Sequence, residues 1–213
     1  MEARVIQEVR PDREYILLGD ISGSMTQKDP LCGDQSRYNY MLEKFKLFIK
    51  EAAQFDSHGE VDVILFGETI HLFAETTIEK IDSTLNRVQA EGATMTDKAL
   101  EMAYDRHRAK KKEMAAKGES HPGTVCFVFT DGDPTNKRAV EDVIVDIANH
   151  IEREDEFNVT FLTVGTRSNE LEAWLSGLHD KVENRISRDF DIIHVERMEK
   201  VNFLAAVNTV NHA

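Results

Sequence analysis

The chain has no long apolar run, only two cysteines in 213 residues, and far fewer cations than anions. Each scarcity excludes something. No segment approaches the roughly 20 consecutive apolar residues that a membrane-spanning helix needs. The opening residues, Met1-Glu2-Ala3-Arg4-Val5, lack the apolar stretch and cleavage pattern of a secretory leader. Cys126 falls near the start of an apolar strand, and Cys32 falls in a loop at the strand's opposite end. Five residues of strand span about 16 Å, so a disulfide between the two is not expected. Free thiols without a leader point to a reducing, cytoplasmic location. Cys32 reads as an ordinary loop cysteine. With 26 Lys and Arg against 39 Asp and Glu, the net charge is −13. That disfavours nucleic acid and anionic membrane as partners, and it promotes solubility.

Several chemistries are missing as well. No G-x-x-x-x-G-K-[ST] is present, so the chain is not itself a P-loop NTPase. The eight histidines show no H-E-x-x-H spacing and no C-x-x-C accompanies them, which excludes the usual zinc patterns. No internal repeat, low-complexity segment or second domain is apparent. The expectation is one domain over 1–213, with a core over 13–210 and an N-terminal extension over 1–12.

What is present alternates between strand and helix patterns. Tyr15-Ile16-Leu17-Leu18-Gly19 is an apolar strand. A polar segment over 25–36 follows, containing Lys28, Asp29 and Asp34, with Arg37 just beyond. It reads as a surface insertion, or as a segment that sets specificity or gates access. Helical spacing of Tyr38, Met41, Leu42, Phe45, Phe48, Ile49, Ala52 and Ala53 predicts an amphipathic helix over 37–56, stopped near Gly59. A strand over 61–67 is joined to one over 70–74 by a link so short that the pair must be antiparallel. Helices are predicted over 77–88, 97–117, 139–151, 171–178 and 201–207, and further strands over 125–131, 159–165 and 190–195. The run Arg106-His107-Arg108-Ala109-Lys110-Lys111-Lys112 reads as a solvated helix face, and Trp174 as core. Such alternation implies a mainly parallel sheet covered by helices on both faces.

Three strand ends and loops carry the chemistry. Asp20-Ile21-Ser22-Gly23-Ser24 presents a carboxylate and two hydroxyls directly after the first strand. Gly92-Ala93-Thr94 lies between two helical patterns, and Thr130-Asp131-Gly132 closes the strand over 125–131. All of these side chains are hard oxygen donors of the kind that suits Mg²⁺ or Mn²⁺. The three motifs, D-x-S-x-S, G-x-T and T-D-G, resemble the metal-ion-dependent adhesion site of the von Willebrand factor type A domain, in the family's order. The resemblance covers nearly the whole chain. It implies a Rossmann-like three-layer α/β fold, with a mainly parallel sheet and one antiparallel edge strand. It implies Mg²⁺ or Mn²⁺ held by Asp20, Ser22, Ser24, Thr94 and Asp131, with Ser22 and Ser24 bound directly and the aspartates partly through water. It also implies a protein partner whose Glu or Asp completes the metal's shell, an adaptor or assembly role, no catalysis, and a compact intracellular type that works beside an ATPase or within a larger assembly.

Two other readings compete. Asp131-Gly132-Asp133-Pro134-Thr135 also fits the D-x-D-x-T nucleophile motif of Mg²⁺-dependent phosphotransferases. That reading leaves Asp20, Ser22, Ser24 and Thr94 without a role. The other is a scaffold subunit whose contacts ignore metal. Ser22 or Ser24 as a nucleophile lacks a histidine in any of the three loops.

Overall fold

The computed structural model describes residues 13–52, 60–85, 88, 90–166, 168–187 and 190–200. Six strands form one sheet: β1 Glu14–Asp20, β2 Val61–Phe66, β3 Ile70–Thr76, β4 Thr124–Thr130, β5 Phe157–Thr163 and β6 Ile193–Arg197. Their order is β3-β2-β1-β4-β5-β6, parallel throughout except for the edge strand β3, which runs antiparallel to β2. This is the expected Rossmann-like arrangement. The helices are α1 Arg37–Ala52, α2 Ile78–Leu85, α3 Thr96–Ala116, α4 Lys137–His150, α5 Ser168–Ser176 and α6 Leu178–Glu183.

The strands alternate faces, as pleating requires. On one face Leu17, Val63, Leu65, Phe127 and Phe129 pack against Met41, Phe45, Phe48 and Ile49 of α1 and Ile81 and Leu85 of α2. On the other, Ile16, Leu18, Ile64, Phe66, Cys126 and Val128 meet Leu100 and Ala103 of α3, Val140, Ile144 and Ile147 of α4, and Leu171, Trp174 and Leu178. With helices on both sides, β2, β4 and β5 are buried along their whole length, which is why they read as near-continuous apolar runs. The edge aromatics of α1 lock into the sheet, with Phe45 and Phe129 ring centroids 4.6 Å apart in an edge-on contact.

Most expected elements stand within a few residues of their bounds. α4 starts at Lys137 because the Asn136 side chain accepts from the Ala139 amide and caps it. The helix expected over 171–178 is two short helices, α5 and α6, separated by Gly177. The last strand begins at Ile193 rather than at 190. The end of the first predicted helix, its glycine stop, the extension over 1–12 and the helix over 201–207 lie outside the described residues. Among the described residues no helix is long and apolar enough to cross a membrane.

Strand order decides where a site can form. From β1 the sheet grows in one direction through β2 and in the other through β4. The two halves diverge there, and the carboxyl ends of β1 and β4 flank the crevice in which open α/β sheets place ligands.

Candidate metal centre

Asp20 is the last residue of β1 and fully buried. Its Oδ1 accepts from the Ser22 amide at 2.7 Å, which folds the loop back on the strand end. Its Oδ2 accepts from the Thr130 hydroxyl at 2.6 Å, across the β1–β4 boundary. Ser22 and Ser24 bracket the start of a 3₁₀ turn over Gly23–Thr26, and their Oγ atoms lie 3.1 Å apart. Ser24 Oγ donates to Asp131 Oδ1 at 2.7 Å. Asp20, Ser22, Ser24 and Asp131 are therefore one hydrogen-bonded chain spanning two loops. Burial pushes the Asp20 carboxyl up to about 6, against the pull of its bonds from Thr130 and Ser22, and nearby Asp131 adds to the rise.

Thr94 is joined differently. Its amide donates to Thr135 Oγ1 at 3.0 Å, and its carbonyl accepts from the Thr135 amide at 3.0 Å. The G-x-T loop is thus clamped by its backbone to the loop that follows β4. The Thr94 side chain is half-buried, and the structure brings it to the other four by loop placement rather than by a side-chain hydrogen bond.

The donor set fits a small hard cation. Mg²⁺ binds oxygens at 2.0–2.1 Å in octahedral geometry, which makes neighbouring ligand oxygens about 3.0 Å apart. The Ser22–Ser24 and Ser24–Asp131 separations of 3.1 and 2.7 Å bracket that edge. Two carboxylates and several hydroxyls do not make a carboxylate cage: among the described residues no group of three or more His, Cys, Asp or Glu is arranged to hold a metal. Beside the site opens a cleft of about 520 Å³, lined by Ser24, Asp131, Gly132, Asp133, Thr166, Glu170 and Leu171.

Sequence reasoning missed a buried ion-pair network behind Asp131. Arg37 Nη1 donates to Asp131 Oδ2 at 2.6 Å. Its Nε and Nη2 donate to Asp29 Oδ2 at 3.0 and 2.8 Å. That same oxygen of Asp29 accepts from the amide and hydroxyl of Thr166, each at 2.9 Å, while Oδ1 accepts from the Leu31 amide at 3.0 Å. Arg37 is 2% exposed, and Asp29 and Asp131 are 1% exposed. Burial works to raise the Asp29 carboxyl, but its donors from Thr166, Arg37 and Leu31 outweigh it and hold it down at about 2.

The segment over 25–36 is mostly exposed, as its composition suggests, but it is anchored at three buried residues. Met25 and Cys32 are fully buried in the α1-side core, and Asp29 caps a second 3₁₀ turn over Pro30–Cys32. Burial and the neighbouring carboxylates of Asp29 and Glu199 push the Cys32 thiol up to about 11, so it is not a reactive thiolate.

The profile of the von Willebrand factor type A domain matches residues 15–134. The chain belongs to the von Willebrand factor type A domain family. Solved structures resemble it over nearly the whole chain. The manganese-loaded TRAP protein of Plasmodium vivax is 15% identical, with a TM-score of 0.52, and the match covers 95% of this chain and 75% of that one. An aerotolerance-related membrane protein from Bacteroides fragilis is 18% identical, with a TM-score of 0.54 and coverage of 93% and 96%. BatB, a conserved hypothetical protein from Bacteroides thetaiotaomicron, is 17% identical, with a TM-score of 0.54 and coverage of 91% and 93%. At such identities the likeness establishes the fold alone. No curated protein matches the chain.

Proposed function

We propose that this A-type domain holds Mg²⁺ or Mn²⁺ at Asp20, Ser22, Ser24, Thr94 and Asp131. Through that ion it recognises an acidic side chain of a protein partner. The observation that carries the reading is the Ser22–Ser24–Asp131 row of oxygens, whose 3.1 and 2.7 Å separations match the edge of an octahedral shell. Because the serine ligands are neutral, a bound divalent ion keeps attraction for one more anion. The cleft beside Ser24 and Asp131 leaves room for it. The manganese carried by the similar Plasmodium protein supports the same reading.

The role that follows is that of an adaptor or assembly factor rather than an enzyme. Asp131 has both carboxylate oxygens engaged, by Ser24 and Arg37, and Asp133 pairs with Lys137 at 2.6 Å. Neither is arranged as a free nucleophile, which disfavours the phosphotransferase alternative. A cytoplasmic setting beside an ATPase or a larger assembly is part of the proposal; the free thiols of Cys32 and Cys126 are compatible with it.

The test is titration calorimetry of Mn²⁺ into the wild type and Asp131→Ala, joined to capture of partners in Mg²⁺ and in EDTA. Saturable heat in the wild type alone, with capture only in Mg²⁺, is the expected result. Equal capture by both proteins in both buffers would leave the metal-independent scaffold as the better account.

A further inference from the structure

Arg37 is a permanent cation buried against the carboxylate that the proposed metal site uses. Long cationic side chains are almost never fully buried without a compensating partner. Here there are two, and they divide the guanidinium between them: one nitrogen goes to Asp131 Oδ2 at 2.6 Å, and two go to Asp29 Oδ2 at 3.0 and 2.8 Å. Gly165 allows this approach. A Cβ there would stand 2.6 Å from Asp29 Oδ2 and 2.7 Å from Arg37 Nε. The pair is thus built into the fold from three separate segments of chain.

Its consequence for the site is electrostatic. Arg37 occupies one oxygen of Asp131, so that carboxylate faces the Ser24 side through Oδ1 alone. Arg37 also opposes any second cation, while Asp29 offsets Arg37. Asp20 and Asp131 then balance a divalent ion, and the loaded centre stands close to neutral. An acidic partner group is not repelled by excess negative charge.

We propose that Arg37 and Asp29 are a charge-setting pair for the cation site: Arg37 weakens divalent-ion binding and favours the partner's acidic group, and Asp29 restrains that effect. This rests on the metal reading above and deepens it. Both are positioning residues, since neither is a ligand. A unit charge about 6 Å from a divalent ion changes affinity roughly tenfold even at the dielectric constant of water.

The experiment is Mn²⁺ titration calorimetry at fixed ionic strength on the wild type, Arg37→Gln, Arg37→Lys and Asp29→Asn, each checked by thermal melting. Arg37→Gln should bind Mn²⁺ about tenfold more tightly. Asp29→Asn, whose charge stands on the far side of the guanidinium from Asp131, should bind several-fold more weakly, by less than the Arg37→Gln change. Arg37→Lys, which keeps the charge but not the fork, should stay within about threefold of wild type. Opposite signs are what a structural role cannot give, because a pair that merely held Asp131 in place would weaken binding in every variant. Uniform weakening, or no change, would therefore overturn the inference while leaving the metal site standing. Should Arg37→Gln fail to fold, equal or tighter binding by Asp29→Asn overturns it. Heat from Arg37→Gln but not from wild type would support it. Absence of heat in all four proteins would overturn the metal reading and this one together.

Discussion

Arg37 stands in the first turn of α1, where the helix dipole disfavours a cation. It is held there because two buried carboxylates outweigh that penalty. Thr130 is the second residue whose identity matters more than its apolar strand suggests. Its hydroxyl satisfies Asp20 Oδ2 inside the sheet. Thr130→Val keeps the shape but leaves a buried carboxylate oxygen without its donor. Loss of about 1–3 kcal/mol is expected in metal-free urea unfolding. The loss should shrink when Thr130→Val is made in an Asp20→Ala background, since the two mutations remove the same bond. Sequence pattern singled out Asp20, Ser22, Ser24 and Asp131, which the fold brings together, because each lies at a strand end or in the loop that directly follows one. Arg37 follows no such pattern; its one local sign is a cation in the first turn of a helix, where an acid is favoured.

The segment between β1 and α1 is the element that sequence read only in part. Its polar composition suggested exposure, and most of its residues are exposed, yet Met25, Asp29 and Cys32 are buried because two 3₁₀ turns fold it over the end of the sheet. The loop after β5 receives it at Gly165, which has φ +78° and nearby Asp29 and Arg37 atoms where a side chain would go. Gly165→Ala should cost both backbone strain and that close approach, more than about 1 kcal/mol. Gly118 is the control. It has the same φ of +78° but open space around it, so Gly118→Ala should lose only the backbone part. Thermal melts of the two variants side by side measure the difference. Equal losses would mean that the Asp29–Arg37 contact tolerates displacement.

At the scale of the whole molecule, the sheet has a second polar end, opposite the candidate metal centre. The basic run of α3 is not merely a solvated face there. Arg106 pairs with Asp62 at 2.9 Å, and Lys111 with Glu156 at 2.7 Å. His107 is buried between Thr124 and Glu156. His121 stands edge-on to His107, with ring centroids 4.8 Å apart, and its Nε2 has no hydrogen-bond partner among the described residues. Burial drives His121 down to about 4, with His107, Lys110 and Lys111 adding to the fall and Glu156 opposing it. A folded-state pKa below the unfolded value means that the unfolded chain takes up the proton first. The stability held by neutral His121 is therefore complete above about pH 6.5 and is lost as pH falls towards 4. The unfolding free energy from urea titrations should drop between pH 7.5 and 5, by an amount of order 1–2 kcal/mol from this residue. His121→Gln should flatten that decline, and an unchanged slope would show that the loss arises elsewhere.

The sequence by itself determined the alternation of strands and helices, the antiparallel β2–β3 hairpin and the oxygen donors at the strand ends. These are local properties: side-chain periodicity follows backbone geometry, a three-residue link cannot cross over a sheet, and a loop directly after a strand inherits its position. The tertiary structure alone decided which distant groups meet. Asp131 finds Arg37 across 94 positions, Asp29 finds Thr166 across 137, and Thr130 finds Asp20 across 110. No periodicity encodes such pairings. They arise because β1 and β4 are neighbours in the sheet and because packing of α1 and the 3₁₀ turns leaves a buried charge no other place to be neutralised.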